Sequence, residues 1–167
     1  MPDEQQATLA NAPGLGAAQG VAVGREPAGG TLLSRFGWLV FLVPAVAVVI
    51  TAAFLTPNPI GHGTHTQLGL PPCGFYVFTG VPCPGCGLTT CFAYMVRADV
   101  VGAATANPFG IMLFLTTIAA IPVSVRGFLR GSPVIETLDR LQADKWAILL
   151  AACSLTVWLV RVLTTVL

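Results

Sequence analysis

The chain has 167 residues, of which eight are Lys or Arg and seven are Asp or Glu. Charged residues make up 9 % of the sequence, against roughly 25 % in an ordinary soluble domain. This composition excludes a water-soluble domain, which needs a charged surface, and the net charge of +1 excludes a nucleic-acid-binding protein, which needs a basic one. We therefore expect an integral membrane protein.

The N-terminal residues 1–34 are rich in Ala, Gly and Pro and have no periodic apolar face. This pattern predicts a disordered tail. The remaining residues, 35–167, are expected to form one membrane domain.

Three apolar stretches are long enough to cross the bilayer core, which takes roughly 20 helical residues. The first covers residues 36–55 and the second residues 108–128, with Asn107 as the expected N-cap and Pro108 in the first helical position. The third covers residues 146–167 and contains Arg161, whose side chain we expect to reach the interface by snorkelling. The predicted fold class is thus an all-α membrane protein with three transmembrane helices.

The basic residues next to these spans are distributed unequally. The first loop holds only Arg97 and the C-terminal end only Arg161. The others flank the first span at its N-terminal side or lie around the second loop: Arg25, Arg35, Arg126, Arg130, Arg140 and Lys145. Because basic residues stay on the cytoplasmic side, we expect a cytoplasmic N-terminus and second loop, and an exoplasmic first loop and C-terminus.

The first loop begins with a turn-rich segment, residues 56–87, in which glycines and prolines interleave. Such a segment favours tight turns over a regular helix or a long strand. It is also apolar, and no charged residue lies between Arg35 and Arg97. We therefore expect this exoplasmic segment to be covered by the membrane, by the spans or by a partner.

A short amphipathic helix is predicted over residues 88–97, because Leu88, Cys91, Phe92 and Met95 recur at helical spacing. It is too short to cross the bilayer and is expected to lie along the membrane surface or to re-enter it. Asp99 then fits the N-cap of a further short turn.

The five cysteines fall into two groups. Cys153, within the third span, and Cys91, on the apolar face of the short helix, are interpreted as small buried apolar residues. Cys73, Cys83 and Cys86 all lie in the turn-rich segment, which also contains both histidines of the chain, His62 and His65.

Three chemistries fit this loop. Cys73, Cys83, Cys86 and His65, with His62 as a substitute for His65, would make a Cys₃His set suited to Zn²⁺. A structural disulfide is natural on an oxidising face of a membrane. The third possible chemistry is a redox pair, because a Cys83-Pro84-Gly85-Cys86 segment that precedes a helix would have a lowered thiol pKa. The βαβ scaffold that usually carries such a pair is not visible in the sequence.

The order of these motifs resembles a family of small bacterial membrane proteins of unknown function. The residues that carry the resemblance are Pro72-Cys73, the run from Gly80 to Thr89 (GVPCPGCGLT), and Asn107-Pro108. The resemblance covers about residues 60–130 and implies a multi-pass protein of the bacterial inner membrane, with Gly87, Thr89, Asn107 and Pro108 as structural positions. The family has Arg where this chain has Thr90, and Arg97, about two turns on, is a candidate replacement.

The leading hypothesis is a non-enzymatic one: a membrane scaffold or accessory subunit with a structural Cys-rich loop, holding zinc or no cofactor. The alternative is a thiol–disulfide or metal-dependent redox protein that uses Cys83 and Cys86. The expected partners are the lipid bilayer and either another membrane protein or a second copy of the chain, and no nucleic acid.

Overall fold

A computed structural model describes residues 32–167, with the exception of the side chain of Val166. The predicted tail therefore lies outside the described residues, apart from residues 32–34, which open the first helix. The described part contains helices and no strand. The α-helices, in chain order, are α1 (Leu32–Phe54), α2 (Gly74–Thr79), α3 (Leu88–Met95), α4 (Val100–Ala106), α5 (Pro108–Arg130), α6 (Val134–Arg140) and α7 (Ala143–Val166).

Three of these helices are long and apolar enough to cross a membrane. They are Leu32–Phe54, Pro108–Arg130 and Ala143–Thr165, with mean hydropathies of 2.3, 1.9 and 2.0. The prediction of an all-α membrane fold with three spans is confirmed, and the chain is a multi-pass membrane protein. Helices α2, α3 and α4 lie between the end of α1 and the start of α5, whereas α6 lies between the end of α5 and the start of α7.

At the opposite end, α1 and α5 are joined by Trp38. Its indole is 1 % exposed and lies directly on Gly127, where any side chain would collide with the ring. The indole N–H donates to the carbonyl of Ser132 at 2.8 Å, and the Ser34 hydroxyl donates to the carbonyl of Gly131 at 3.1 Å. A large aromatic ring against glycine thus brings the two backbones close and fixes their register.

Arg97 joins α1 to the short helices at the other end. Its guanidinium donates to the carbonyls of Ala52 and Ala53, at 3.4 and 3.2 Å, and to that of Ala93 at 2.7 Å. A cation at the C-terminus of a helix satisfies carbonyls that have no partner within the helix and opposes its dipole. Arg97 therefore links the end of α1 to α3.

Helix α3 is buried on more sides than its apolar pattern predicts. Thr90, Cys91, Phe92 and Ala93 are all buried, although Thr90 and Ala93 are not among the predicted apolar positions Leu88, Cys91, Phe92 and Met95. The ring of Phe92 meets that of Phe114 edge-on, with the centroids 5.2 Å apart. Helix α3 therefore packs among α1, α4 and α5.

Two side-chain caps start the helices that follow α3. The Asp99 carboxylate accepts from the N–H of Gly102 at 2.8 Å at the start of α4. The Asn107 side-chain oxygen accepts from the N–H of Phe109 at 3.1 Å, and Pro108 takes the first position of α5. Both caps satisfy amide groups that a helix leaves free at its N-terminus.

The turn-rich segment contains two short helical elements that its glycines and prolines did not predict. One is a 3₁₀ helix, Thr64–Leu68, and the other is α2. Gly63, Gly69 and Gly80, all in left-handed conformation, bound these elements, so each is too short for sequence periodicity to reveal. The second loop contains a further short helix, α6.

Candidate metal and thiol site

Three cysteine side chains of the first loop converge on one point. The Cys83 sulfur lies 3.5 Å from that of Cys73 and 3.3 Å from that of Cys86, and all three sulfurs lie within 4.8 Å of one another. All three are free thiols. The structure thus brings together the three cysteines that the sequence singled out, and leaves Cys91 and Cys153 outside the group.

The local sequence explains how the turn presents these sulfurs. The Cys86 N–H donates to the Cys83 carbonyl at 3.0 Å, which closes a tight turn over Pro84 and Gly85. Gly87 follows with a φ of +89°, a conformation that L residues with a side chain rarely adopt. A Cβ there would lie 2.5 Å from the carbonyl oxygen of Ala106 and 2.7 Å from that of Gly61, so the position admits only glycine.

Side chains from two spans hold the carbonyls of this turn. The buried amide of Asn107 donates to the carbonyl of Cys86 at 3.1 Å, and at 3.4 Å to that of Pro84. From α7, Arg161 donates to the carbonyl of Cys86 at 2.8 Å. The turn is therefore fixed by the start of α5 and by the far end of the third span.

Trp158 adds a second contact from α7, because its indole N–H donates to the carbonyl of Pro82 at 2.9 Å. Neither Trp158 nor Arg161 was predicted to touch the loop. The expectation that Arg161 snorkels to the interface is replaced by a hydrogen bond within the protein. The signal for Arg161 was present in the sequence, since a lone charged residue in a span usually has an internal partner.

The three thiols differ in their electrostatic surroundings. Cys73 immediately precedes α2, and the backbone N–H of Tyr76, in the first turn of that helix, lowers the pKa of the Cys73 thiol. Burial raises the pKa of Cys86 to about 12. Burial also raises the pKa of Cys91 to about 11, which agrees with its interpretation as an inert buried residue.

A cavity of about 550 Å³ lies against the three thiols. Both histidines line it, together with Tyr76 of α2 and with Thr89 and Thr90 of α3. The ring of His62 lies against that of Tyr76, with the centroids 4.8 Å apart. His65 shares a hydrogen bond of 3.1 Å between its Nε2 and the carbonyl of Pro71. Neither imidazole belongs to the sulfur cluster itself.

Thr90 of α3 takes part in a buried hydroxyl pair. Its Oγ1 lies 2.8 Å from that of Thr64, and both side chains are fully buried. The Thr64 hydroxyl also accepts from the N–H of Asn58 at 3.0 Å. The position therefore ties α3 to the 3₁₀ helix. Sequence reasoning did not identify Thr64.

The sulfur geometry is compatible with a metal ion. In a tetrahedral zinc site with Zn–S bonds of about 2.3 Å, neighbouring sulfurs lie about 3.8 Å apart. The separations of 3.3 and 3.5 Å, and the outer limit of 4.8 Å, bracket that value. Thiolate ligands favour zinc, Cu(I) and iron–sulfur clusters over metals that prefer oxygen ligands, such as magnesium and calcium. The cluster could therefore hold a metal ion through three protein ligands.

In comparisons with known proteins, part of the chain matches a family of unknown function. A profile of the family described as "Protein of unknown function (DUF2752)" matches residues 73–121, the stretch that begins at Cys73 and ends within α5. The searches of curated proteins and of solved structures returned no match. Over this stretch the chain is thus similar to a family of unknown function, in agreement with the resemblance noted from its motifs.

Proposed function

We propose that this membrane protein is a scaffold or accessory subunit whose first loop is organised by a zinc ion. Cys73, Cys83 and Cys86 are the proposed sulfur ligands and His65 is the proposed fourth ligand. The observation that carries the proposal is the convergence of the three free thiols within 4.8 Å. The proposed setting is a bacterial inner membrane, with the loop on the exoplasmic side.

The choice of His65 rests on its hydrogen bond to Pro71. A histidine that binds a metal commonly donates its other ring N–H to a carboxylate or a backbone carbonyl, which fixes the tautomer. The contact between His65 Nε2 and the Pro71 carbonyl would leave Nδ1 unprotonated and free to bind zinc. His62 lies against Tyr76 and makes no comparable contact among the described residues.

A structural role is favoured by how firmly the turn is held. Every second carbonyl of the turn, at Pro82, Pro84 and Cys86, accepts a hydrogen bond from a side chain. The donors are Asn107, Trp158 and Arg161. A zinc ion would add covalent-like links between Cys73, before α2, and the turn before α3. Structural zinc sites stabilise small folded elements in this way.

Metal content and thiol count on the purified full chain test the proposal. We expect one zinc per chain and five free thiols after denaturation with a chelator. Cys83→Ser and Cys86→Ser should lose the zinc, and Cys153→Ser, which removes a thiol outside the cluster, should retain it. His65→Gln should weaken zinc binding by at least about tenfold. Its matched control, His62→Gln, should not.

The second candidate function is thiol–disulfide exchange, which the lowered pKa of Cys73 favours. The predicted redox pair was Cys83 and Cys86, but burial raises the pKa of Cys86 to about 12, so Cys73 is proposed in its place. Cys73 and Cys83 would form a disulfide by releasing two protons and passing two electrons to a disulfide of a partner protein, which would be reduced to two thiols. In that case the purified protein would contain no stoichiometric zinc, and the thiol count would fall by two after oxidation with oxidised glutathione. This outcome would replace the zinc proposal.

A further inference from the structure

A second cavity adjoins the first on the side of the protein formed by α1, α3 and α5. It has a volume of about 380 Å³, and its walls are almost entirely apolar, with Val48 of α1, Leu70 of the loop, Phe92 of α3 and Leu113 of α5 among them. Val48 and Leu70 are about half exposed, so the cavity opens on the outer surface. Its volume lies within the range of small-molecule sites.

This groove lies at membrane depth. Ala47, which lines it, precedes the last residue of α1 by seven positions, or about 10 Å along the helix axis at 1.5 Å per residue. The hydrocarbon core is about 30 Å thick, so the groove opens within the layer of lipid chains near one interface. An apolar groove at this depth is filled by hydrocarbon, because water would find almost no hydrogen-bond partner in it.

The two cavities meet at His65 and Thr89, which line both. The first cavity offers polar groups at this junction. Among the described residues, neither the ring nitrogens of His62 nor the hydroxyl of Thr89 has a hydrogen-bond partner. Imidazoles and hydroxyls line both cavities, and thiols line only the first; among the described residues, no carboxylate, ammonium or guanidinium group lines either one.

We propose that the two cavities together bind one phospholipid molecule of the surrounding bilayer. One acyl chain lies in the groove between α1, α3 and α5. The headgroup lies in the first cavity, where its ester and phosphate oxygens accept hydrogen bonds from His62 and Thr89. This arrangement matches the order of the walls, because both cavities are mainly apolar and the imidazole of His62 lies only in the first, on the side of the loop. It does not depend on zinc, because the acyl groove contains no cysteine.

Photolabelling of the full chain in lipid vesicles tests the acyl half of the site. The vesicles would contain phosphatidylcholine and phosphatidylglycerol, with a phospholipid that carries a diazirine in mid-chain. Bulk lipid labels exposed residues of the spans, but Phe92 is only 6 % exposed. Labelling at Phe92 itself, located by sequencing of the α3 peptide, therefore reports a chain inside the groove, and labelling confined to exposed span residues would overturn the proposal.

Two substitutions fill the groove, and a third is their control. Ala47→Trp and Val48→Trp place an indole at its mouth, and each should abolish labelling of α3 while the spans remain labelled. Ala53→Trp makes the same change at an exposed alanine of α1 outside both cavities and should leave α3 labelling intact. Unchanged α3 labelling in folded groove variants would exclude the lipid. Cross-links between two copies at the groove would instead identify a second chain as its occupant.

His62→Phe tests the headgroup half. The phenyl ring can keep the contact with Tyr76 while both ring nitrogens are lost. We expect less co-purified phospholipid per chain by native mass spectrometry, and unchanged labelling of α3 by a photoreactive hydrocarbon without a headgroup. Equal phospholipid retention in the variant and the wild type would overturn the placement of the headgroup. These readouts do not involve zinc, so they can fail while the metal proposal stands.

Discussion

The guanidinium of Arg161 donates a hydrogen bond of 2.8 Å to the carbonyl of Cys86, although the two residues are 75 positions apart. The same carbonyl accepts from the side chain of Asn107 at 3.1 Å. One peptide group of the cysteine turn is thus held by both the second and the third span. This contact also explains why a charged residue is present in a helix that is otherwise uncharged after Lys145.

Replacement of Arg161 should loosen the turn. Arg161→Leu removes a charged donor from a part-buried carbonyl, and we expect a loss of about 1–3 kcal/mol in the free energy of unfolding. Arg161→Lys, which keeps the charge, should lose less. The measurement is thermal unfolding in detergent, with Arg130→Leu, an exposed arginine at the other end of α5, as the control. Equal stability of Arg161→Leu and wild type would show that the contact contributes nothing.

Gly87 should not accept a side chain. Gly87→Ala forces a Cβ into the carbonyls of Ala106 and Gly61 at a φ of +89°, so we expect failure to fold, measured as loss of monodisperse protein after purification. Gly80→Ala is the matched control, because Gly80 also has a positive φ but no atom lies within 4 Å of the added Cβ. Its cost should be only about 1–2 kcal/mol. Similar losses in both variants would mean that backbone conformation alone decides.

The hydroxyl pair of Thr64 and Thr90 should behave as a coupled unit. Each Thr→Val change leaves the other buried hydroxyl without this partner, so each single variant should be destabilised by about 1–3 kcal/mol. The double variant should lose less than the sum, because both ends of the hydrogen bond are then removed together. Strict additivity in urea or thermal unfolding would show that the two hydroxyls do not interact.

The thiols should differ in alkylation rate in metal-free protein. A lowered pKa means that Cys73 is more often a thiolate at pH 7–8, whereas Cys86, with a pKa of about 12, stays protonated. Iodoacetamide should therefore modify Cys73 before Cys86, and the Cys86 rate should keep rising up to pH 10. Peptide mass spectrometry measures the rates, and in denaturant the two cysteines should react alike. Faster reaction of Cys86 in the native protein would reverse this assignment.

The proposed topology makes a separate prediction. The basic residues around α6 should keep the second loop in the cytoplasm, and the cysteine loop should face outward. Alkaline phosphatase fused after Leu167 should be active, because this enzyme matures only outside the cytoplasm. A green fluorescent protein at the same position should be dark, because it does not mature when exported unfolded. Fusions after Arg140 should give the opposite result. The reverse pattern would place the thiols in a reducing compartment.

The sequence predicts most of what depends on neighbouring residues. The three spans follow from runs of apolar residues, and the Asp99 cap follows from the spacing between a short polar side chain and the helix after it. The sequence groups Cys73 with Cys83 and Cys86 because they share one loop. It does not predict the distances between their sulfur atoms. What could not be predicted comes from contacts distant in sequence, such as Trp158 with Pro82, or Arg97 with Ala52. Periodicity also failed for α2, since one helical turn and a half shows no repeat.

The contacts at the two ends of α1 have a consequence for membrane thickness. Trp38 ties α1 to α5 near one interface, and Arg97 holds its last carbonyls near the other. About 14 residues, or roughly 21 Å of helix, lie between these two attachments. Because α1 cannot slide past its neighbouring helices without breaking one of these two attachments, the protein presents a fixed hydrophobic length. A thicker or thinner bilayer must then adapt to the protein by local deformation of its lipids.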